Sequence, residues 1–169
     1  HDPFASAILL TTSESLAKDV NKNINKILKN HPRREICMKS VKDWGLIGVC
    51  KDIETCIKLS NQFAPEHLEI MTCNPRKIVD NIENAGAIFL GKWTPEAVGD
   101  FVAGPSHVLP TGGTCHYFSG LSVDDFRRRT SIVEYTKSDL YNALSTIETF
   151  GRVETLDGHA RSASIRFED

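Results

Sequence analysis

The stretch Ala5-Ser6-Ala7-Ile8-Leu9-Leu10-Thr11, followed after Thr12 by Ser13-Glu14-Ser15-Leu16-Ala17-Lys18, decides the fold class. A short apolar run of this kind reads as a buried strand, and Ser13 is placed to cap the helix that follows. That helix carries Leu16, Val20, Ile24, Ile27 and Leu28 at helical spacing, with Lys18, Lys22, Lys26 and Lys29 opposite as a solvated face. The same signals then recur. Pro32 suits the first turn of a helix reaching about residue 43, Gly45 stops it, and residues 46–51 form a second apolar run. Asp52 caps a helix whose inward side is Ile53, Cys56, Ile57 and Phe63, and residues 67–72 make a third strand. Asn74-Pro75 opens another helix, and residues 87–90 make a fourth strand. Strands alternating with helices predict the α/β class, as one open sheet layered with helices.

Beyond residue 90 the texture changes. Residues 91–120 hold Gly91, Gly99, Gly104, Gly112, Gly113 and Gly120 with Pro95, Pro105 and Pro110, and follow neither the helical nor the strand period. A loop of this length inside a compact domain is usually functional or disordered. Trp93, Phe101, Val102, Val108, Leu109, Tyr117 and Phe118 give it much to bury, so an ordered loop is expected. The remainder reads as a tail: a short helix over 123–129, a short strand over 131–135, a helix capped by Ser138 and ended by Gly151, and a weakly helical end over 155–167.

Composition excludes several functions. With 169 residues, 40% hydrophobic and 25% charged, the chain has the make-up of a soluble globular domain. No apolar stretch approaches the roughly 18 residues that span a bilayer, and the net charge of -2 gives no general attraction to nucleic acid. Five cysteines without a C-x-x-C pair read as small hydrophobes of a reducing, cytoplasmic compartment. The Met-less start His1-Asp2-Pro3 reads as a cut through a longer fold.

Familiar catalytic signatures are missing: the chain has no G-x-G-x-x-G, no phosphate-binding G-x-x-x-x-G-K-[ST], no H-E-x-x-H and no G-x-S-x-G. Ser106-His107 is a poor nucleophile and base, because sequence neighbours point their side chains apart. Two segments remain. Glu66-His67 sets a carboxylate beside an imidazole between a helix end and a strand start. Residues 99–107 hold Asp100 and His107 among glycines, and carboxylate oxygen with imidazole nitrogen is a zinc-compatible donor set. A self-contained zinc hydrolase using Asp100, His107 and His159, with Glu66 as base, is one reading of those residues.

The motifs Ser60-Asn61-Gln62-Phe63-Ala64-Pro65-Glu66-His67-Leu68, Ala85-Gly86-Ala87-Ile88-Phe89-Leu90-Gly91, Thr94-Pro95-Glu96, Gly99-Asp100, Gly104-Pro105-Ser106-His107-Val108-Leu109-Pro110-Thr111, Phe118-Ser119-Gly120-Leu121-Ser122-Val123 and Leu156-Asp157-Gly158-His159 closely resemble histidinol dehydrogenase. The likeness runs in order along the chain. It implies a zinc-dependent oxidation of L-histidinol to L-histidine through histidinal, with two NAD+, as the last step of histidine biosynthesis. It implies that Glu66 and His67 are the acid/base pair, with Glu66 activating water for the aldehyde hydrate. His1, Asp100 and His159 are implied as zinc ligands, and His67, Asp100, His107, Glu154 and His159 as substrate contacts. His159 is implied to be supplied across a homodimer.

The fold implied is an open, incomplete Rossmann-like sheet with helices in residues 1–121, part of a larger domain. A mostly helical tail over 122–169 is implied to exchange between subunits. The NAD site is expected upstream of His1, as is a glutamine zinc ligand, so this portion alone is expected to be inactive. The competing expectation is a non-enzymatic dimerising module that binds a weak metal or imidazole ligand.

Overall fold

The computed structural model describes residues 2–168, and the chain divides into two compact units, residues 1–126 and 127–169. The first unit runs β1 (Ile8–Thr11), α1 (Glu14–Leu28), α2 (Arg34–Trp44), β2 (Leu46–Val49), α3 (Ile53–Phe63), β3 (His67–Ile70), α4 (Arg76–Val79), β4 (Ala87–Leu90) and α5 (Glu96–Phe101). Helical crossovers return each strand parallel to its partner. β1 pairs with β2 from Ile8 opposite Leu46 to Thr11 opposite Val49, and β3 pairs with β4 from His67 opposite Ala87 to Ile70 opposite Leu90. The α/β class holds. Among the described residues, however, the strands form two separate two-stranded parallel sheets and not one open sheet.

The local signals work as their chemistry requires. Ser13 Oγ accepts the Leu16 N–H at 3.2 Å, and Asp52 Oδ1 accepts the Thr55 N–H at 2.8 Å, which with the Thr55 hydroxyl holds the Asp52 carboxyl below its usual range. Gly45 ends α2 by close approach, since a Cβ there would stand 2.4 Å from the Val41 carbonyl oxygen. The inward stripe of α1 differs from expectation. Ala17 and Leu28 are buried and Val20 and Ile24 half-buried, whereas Leu16 and Ile27 are exposed. Phe63, expected inward on α3, is also exposed. Ser13→Ala is expected to cost about 1 kcal/mol, read as a lower denaturation midpoint at unchanged slope; an unchanged midpoint would show that this cap contributes nothing.

The segment over 91–120 is only partly the loop expected. It contains α5 and a 3₁₀ turn at Thr114–His116. Its aromatics do not find burial: Trp93, Phe101, Tyr117 and Phe118 are exposed, Trp93 at 83%. Leu109 is the better anchored, packed where a Cβ on Gly86 or Gly120 would stand 3.3 or 2.8 Å from it. The reason is the small core. Its buried apolar members in this unit are Ala17, Leu28, Cys50, Ala64, Ile70 and Phe89, and no large side chain among the described residues is fully buried. The segment is tied instead by hydrogen bonds such as Leu121 N–H to the Val108 carbonyl at 2.9 Å.

The second unit is a helix pair, α6 (Lys137–Val153) and α7 (Asp157–Ser164), followed by a 3₁₀ turn at Ile165–Phe167. Residues 131–135 form no strand, and Ile132 and Val133 are exposed. The cap of α6 is Thr136, not Ser138. Thr136 Oγ1 accepts the Asp139 N–H at 3.2 Å and Asp139 Oδ2 accepts the Thr136 N–H at 3.1 Å, a reciprocal capping box. α6 runs past Gly151, whose missing Cβ would stand 2.7 Å from Ala160 Cβ, so the glycine admits α7 and does not stop the helix. No helix of the described residues is long and apolar enough to cross a membrane.

Candidate functional site

Helix α3 ends at Ala64, which takes the left-handed conformation at φ 52 and ψ 65, donates its N–H to the Ser60 carbonyl at 2.9 Å and is 1% exposed. That conformation costs an L-residue roughly 1–2 kcal/mol, and it swings Pro65 and Glu66 into β3. Two backbone bonds then hold the pair. The Pro65 and Glu66 carbonyls accept Gly86 N–H and Ala87 N–H, each at 2.9 Å. The approach needs glycine, because a Cβ on Gly86 would stand 2.6 Å from the Glu66 carbonyl oxygen. The Cys115 thiol donates to the same Pro65 carbonyl at 3.4 Å, and burial pushes that thiol above its ordinary pKa, which suits a packed group and not a nucleophile.

Strand alternation puts His67 and Glu69 on one face of β3, beside Ala87 and Phe89 of β4. Helix α5 covers that face. Gly91, at φ 79, turns the chain out of β4, and the Glu96 N–H at the start of α5 donates to Glu69 Oε1 at 3.0 Å. A Cβ on Gly99 would stand 2.7 and 2.8 Å from ring atoms of Phe89, so the helix lies against the buried ring because residue 99 has no side chain. Glu96 and Asp100, four apart, share one side of the helix.

The result is an imidazole among carboxylates. His67 Nδ1 lies 3.9 Å from Glu66 Oε1 and Nε2 lies 3.7 Å from Glu96 Oε1, while the His67 ring stands 6.0 Å from the Phe89 ring. His67 Nε2 is buried and has no hydrogen-bond partner. His67, Glu96 and Asp100 each offer one ligand atom, all within 4.8 Å of one another. Burial first, and then the hydrogen bond and charge of Asp100, push the Glu96 carboxyl above its usual pKa. One nitrogen and two oxygen donors at that spacing fit a zinc-like divalent cation, whose charge would relieve the carboxylate pair.

The other residues singled out in the sequence are placed as follows. His107 is exposed on the segment after α5, outside this cluster, and the neighbouring Ser106 hydroxyl accepts the Val108 N–H at 3.1 Å. Glu154 and His159 belong to the second unit, Glu154 at the C-terminal end of α6 and His159 in the first turn of α7, both exposed. His1 lies outside the described residues. The structure thus brings together Glu66, His67 and Asp100 and adds Glu96 and Glu69, to which sequence reasoning assigned no role. The Glu96/Asp100 spacing was the available signal, hidden because Pro95 and Gly99 make the segment read as a loop.

The histidinol dehydrogenase family model matches residues 1–167. Histidinol dehydrogenase of Prochlorococcus marinus subsp. pastoris is 53% identical over 169 residues, covering 100% of this chain and 40% of that protein. The Bacillus cereus enzyme is 45% identical over 169 residues, covering 100% of this chain and 39% of its own length. The crystal structure of histidinol dehydrogenase from Elizabethkingia anophelis superposes with a TM-score of 0.91 at 34% identity, over 99% of this chain and 38% of that one. The chain spans about two fifths of the relatives it matches.

Proposed function

The chain belongs to the histidinol dehydrogenase family, and on that premise we propose that it carries the acid/base and metal-binding portion of an enzyme oxidising L-histidinol to L-histidine through histidinal with two NAD+. The observation that carries this reading is the cluster on β3 and α5, where a buried imidazole nitrogen without a hydrogen-bond partner faces carboxylates that suit a divalent cation. Held by Asp100, zinc would supply a Lewis acid that orients the substrate, and NAD+ would supply the hydride acceptor. Asp100 is the zinc ligand that this portion contributes from α5. His67 takes the proton of the substrate hydroxyl as hydride leaves, a role that an imidazole performs well. Glu66, one residue earlier on the same strand entry, takes the proton of the water that adds to the aldehyde.

His1, His107, Glu154 and His159 complete the zinc and substrate shells in the assembled protein. The helical tail, whose Phe150 and Val153 are exposed, is the arm that delivers His159 to a second copy in a homodimer. The NAD+ pocket belongs to the part of the enzyme outside these residues. The experiment is NADH formation from L-histidinol by the full-length protein, two per histidine formed, with zinc counted per subunit. Asp100→Ala is expected to lose its zinc on dialysis and its turnover with it. Zinc retained at the parent level would remove Asp100 from the ligand set.

A further inference from the structure

We propose that Glu96 is a positioning residue for His67, its carboxylate meeting the Nε2 edge of the ring and holding the imidazole in the orientation its proton transfers need. The proposal rests on the acid/base role given to His67 above. An imidazole has two side-chain torsions to settle, and three groups border this one: Glu66 Oε1 at 3.9 Å from Nδ1, Glu96 Oε1 at 3.7 Å from Nε2, and the Phe89 ring at 6.0 Å. Glu96 is the carboxylate that meets Nε2, and it is held there from two sides. Its backbone N–H is tied at 3.0 Å to Glu69, which stands two residues from His67 on the same strand face. One turn further on, Gly99 seats the helix against Phe89. Strand and helix therefore fix the Glu96 to His67 spacing twice, once through Glu69 and once through Phe89.

Stability does not explain this arrangement. The Glu96 side chain is 41% exposed, and half-exposed ion pairs add little to folding. A carboxylate that orients an imidazole is a recurring way of fixing its tautomer and direction, and its removal typically lowers activity about 10–100-fold. The separation of 3.7 Å is that of the resting site, and catalytic contacts that are long at rest often tighten in the substrate complex.

The test uses the full-length enzyme and compares Glu96→Ala, Glu96→Gln and His67→Asn. Glu96→Ala is expected to lower kcat about 10–100-fold, with KM for L-histidinol and zinc per subunit near the parent values. Glu96→Gln, which keeps an acceptor oxygen at the same place, is expected to recover most of kcat and also serves if the alanine variant folds poorly. Adding Glu96→Ala to His67→Asn is expected to cost nothing further, because a positioning residue has no effect once its target is gone. The proposal is overturned if Glu96→Ala keeps parent kcat, if it loses zinc or raises KM in proportion to its defect, or if it costs as much in the His67→Asn background. Parent turnover in His67→Asn alone would instead overturn the acid/base reading.

Discussion

In the full-length enzyme, His67→Asn is expected to lower NADH formation from L-histidinol by about 10²–10⁴-fold, the range typical of a lost general acid/base. The side chain is where the effect must come from. His67 opens β3, and its main chain pairs opposite Ala87 in a ladder that asparagine can keep. Asparagine also keeps a polar side chain beside Glu66 and Glu96, so the carboxylates are not left facing an apolar group. What it cannot do is take and return a proton near neutral pH. The loss should therefore appear in kcat, with KM and zinc content much less affected. Turnover within a few-fold of the parent would remove His67 from the reaction and leave the cluster as a metal site only.

Gly99→Val is expected to cost nearly as much for a wholly different reason. In a helix interior, replacing glycine by alanine gains up to about 1 kcal/mol in propensity, and valine, being β-branched, gains less. Against this, the first atom added already stands 2.7 Å from Phe89, whose side chain is buried at 7% exposure, and valine adds two methyl groups beyond it. Overpacking of this kind costs about 1–3 kcal/mol, so the clash outweighs the propensity. Relief comes by turning the Phe89 ring, which borders His67, or by lifting α5, which carries Glu96 and Asp100. Either movement separates the groups of the site, and a displacement of about 1 Å can cost 10²-fold in rate. Weakened zinc retention and lost kcat are expected together. Shortening the opposing ring with Phe89→Leu should restore part of both in Gly99→Ala, as neighbouring sites couple. Full zinc and activity in Gly99→Val would show that α5 need not lie against β4.

Much of this was legible from local chemistry. The caps at Ser13 and Asp52 and the apolar runs at β1, β2 and β4 declare themselves because a cap is made by a side chain and backbone three residues apart. Thr136-Lys137-Ser138-Asp139 offered the capping box equally plainly, and Ser138 was the weaker of two hydroxyls as a starting point because only Thr136 has an acidic partner three residues on. The exposed Leu16 and Ile27 mark another limit. Periodicity names a stripe of candidates, but the neighbouring elements choose which residues of it are covered, and here they chose Ala17 with Val20, Ile24 and Leu28.

Within the site, the residues themselves identified Glu66, His67 and Asp100 as chemistry-bearing groups, and their surrounding motifs identified the family. A carboxylate, an imidazole and their sequence neighbours carry that information without any fold. The sequence did not disclose Glu96, because its partners are far along the chain: Glu69 is 27 residues away and His67 still further. Nor did it disclose that Gly99 is a docking surface for Phe89, since a glycine and a proline inside six residues read locally as a break in structure. The sequence by itself thus determined the α/β class, most of the helix starts and the candidate groups of the site, all set by contacts within one or two turns of chain. Only the tertiary structure decided that α5 lies across β3 and β4, because that depends on a missing Cβ meeting a ring ten residues away, and it is this packing that brings Asp100 and Glu96 to His67.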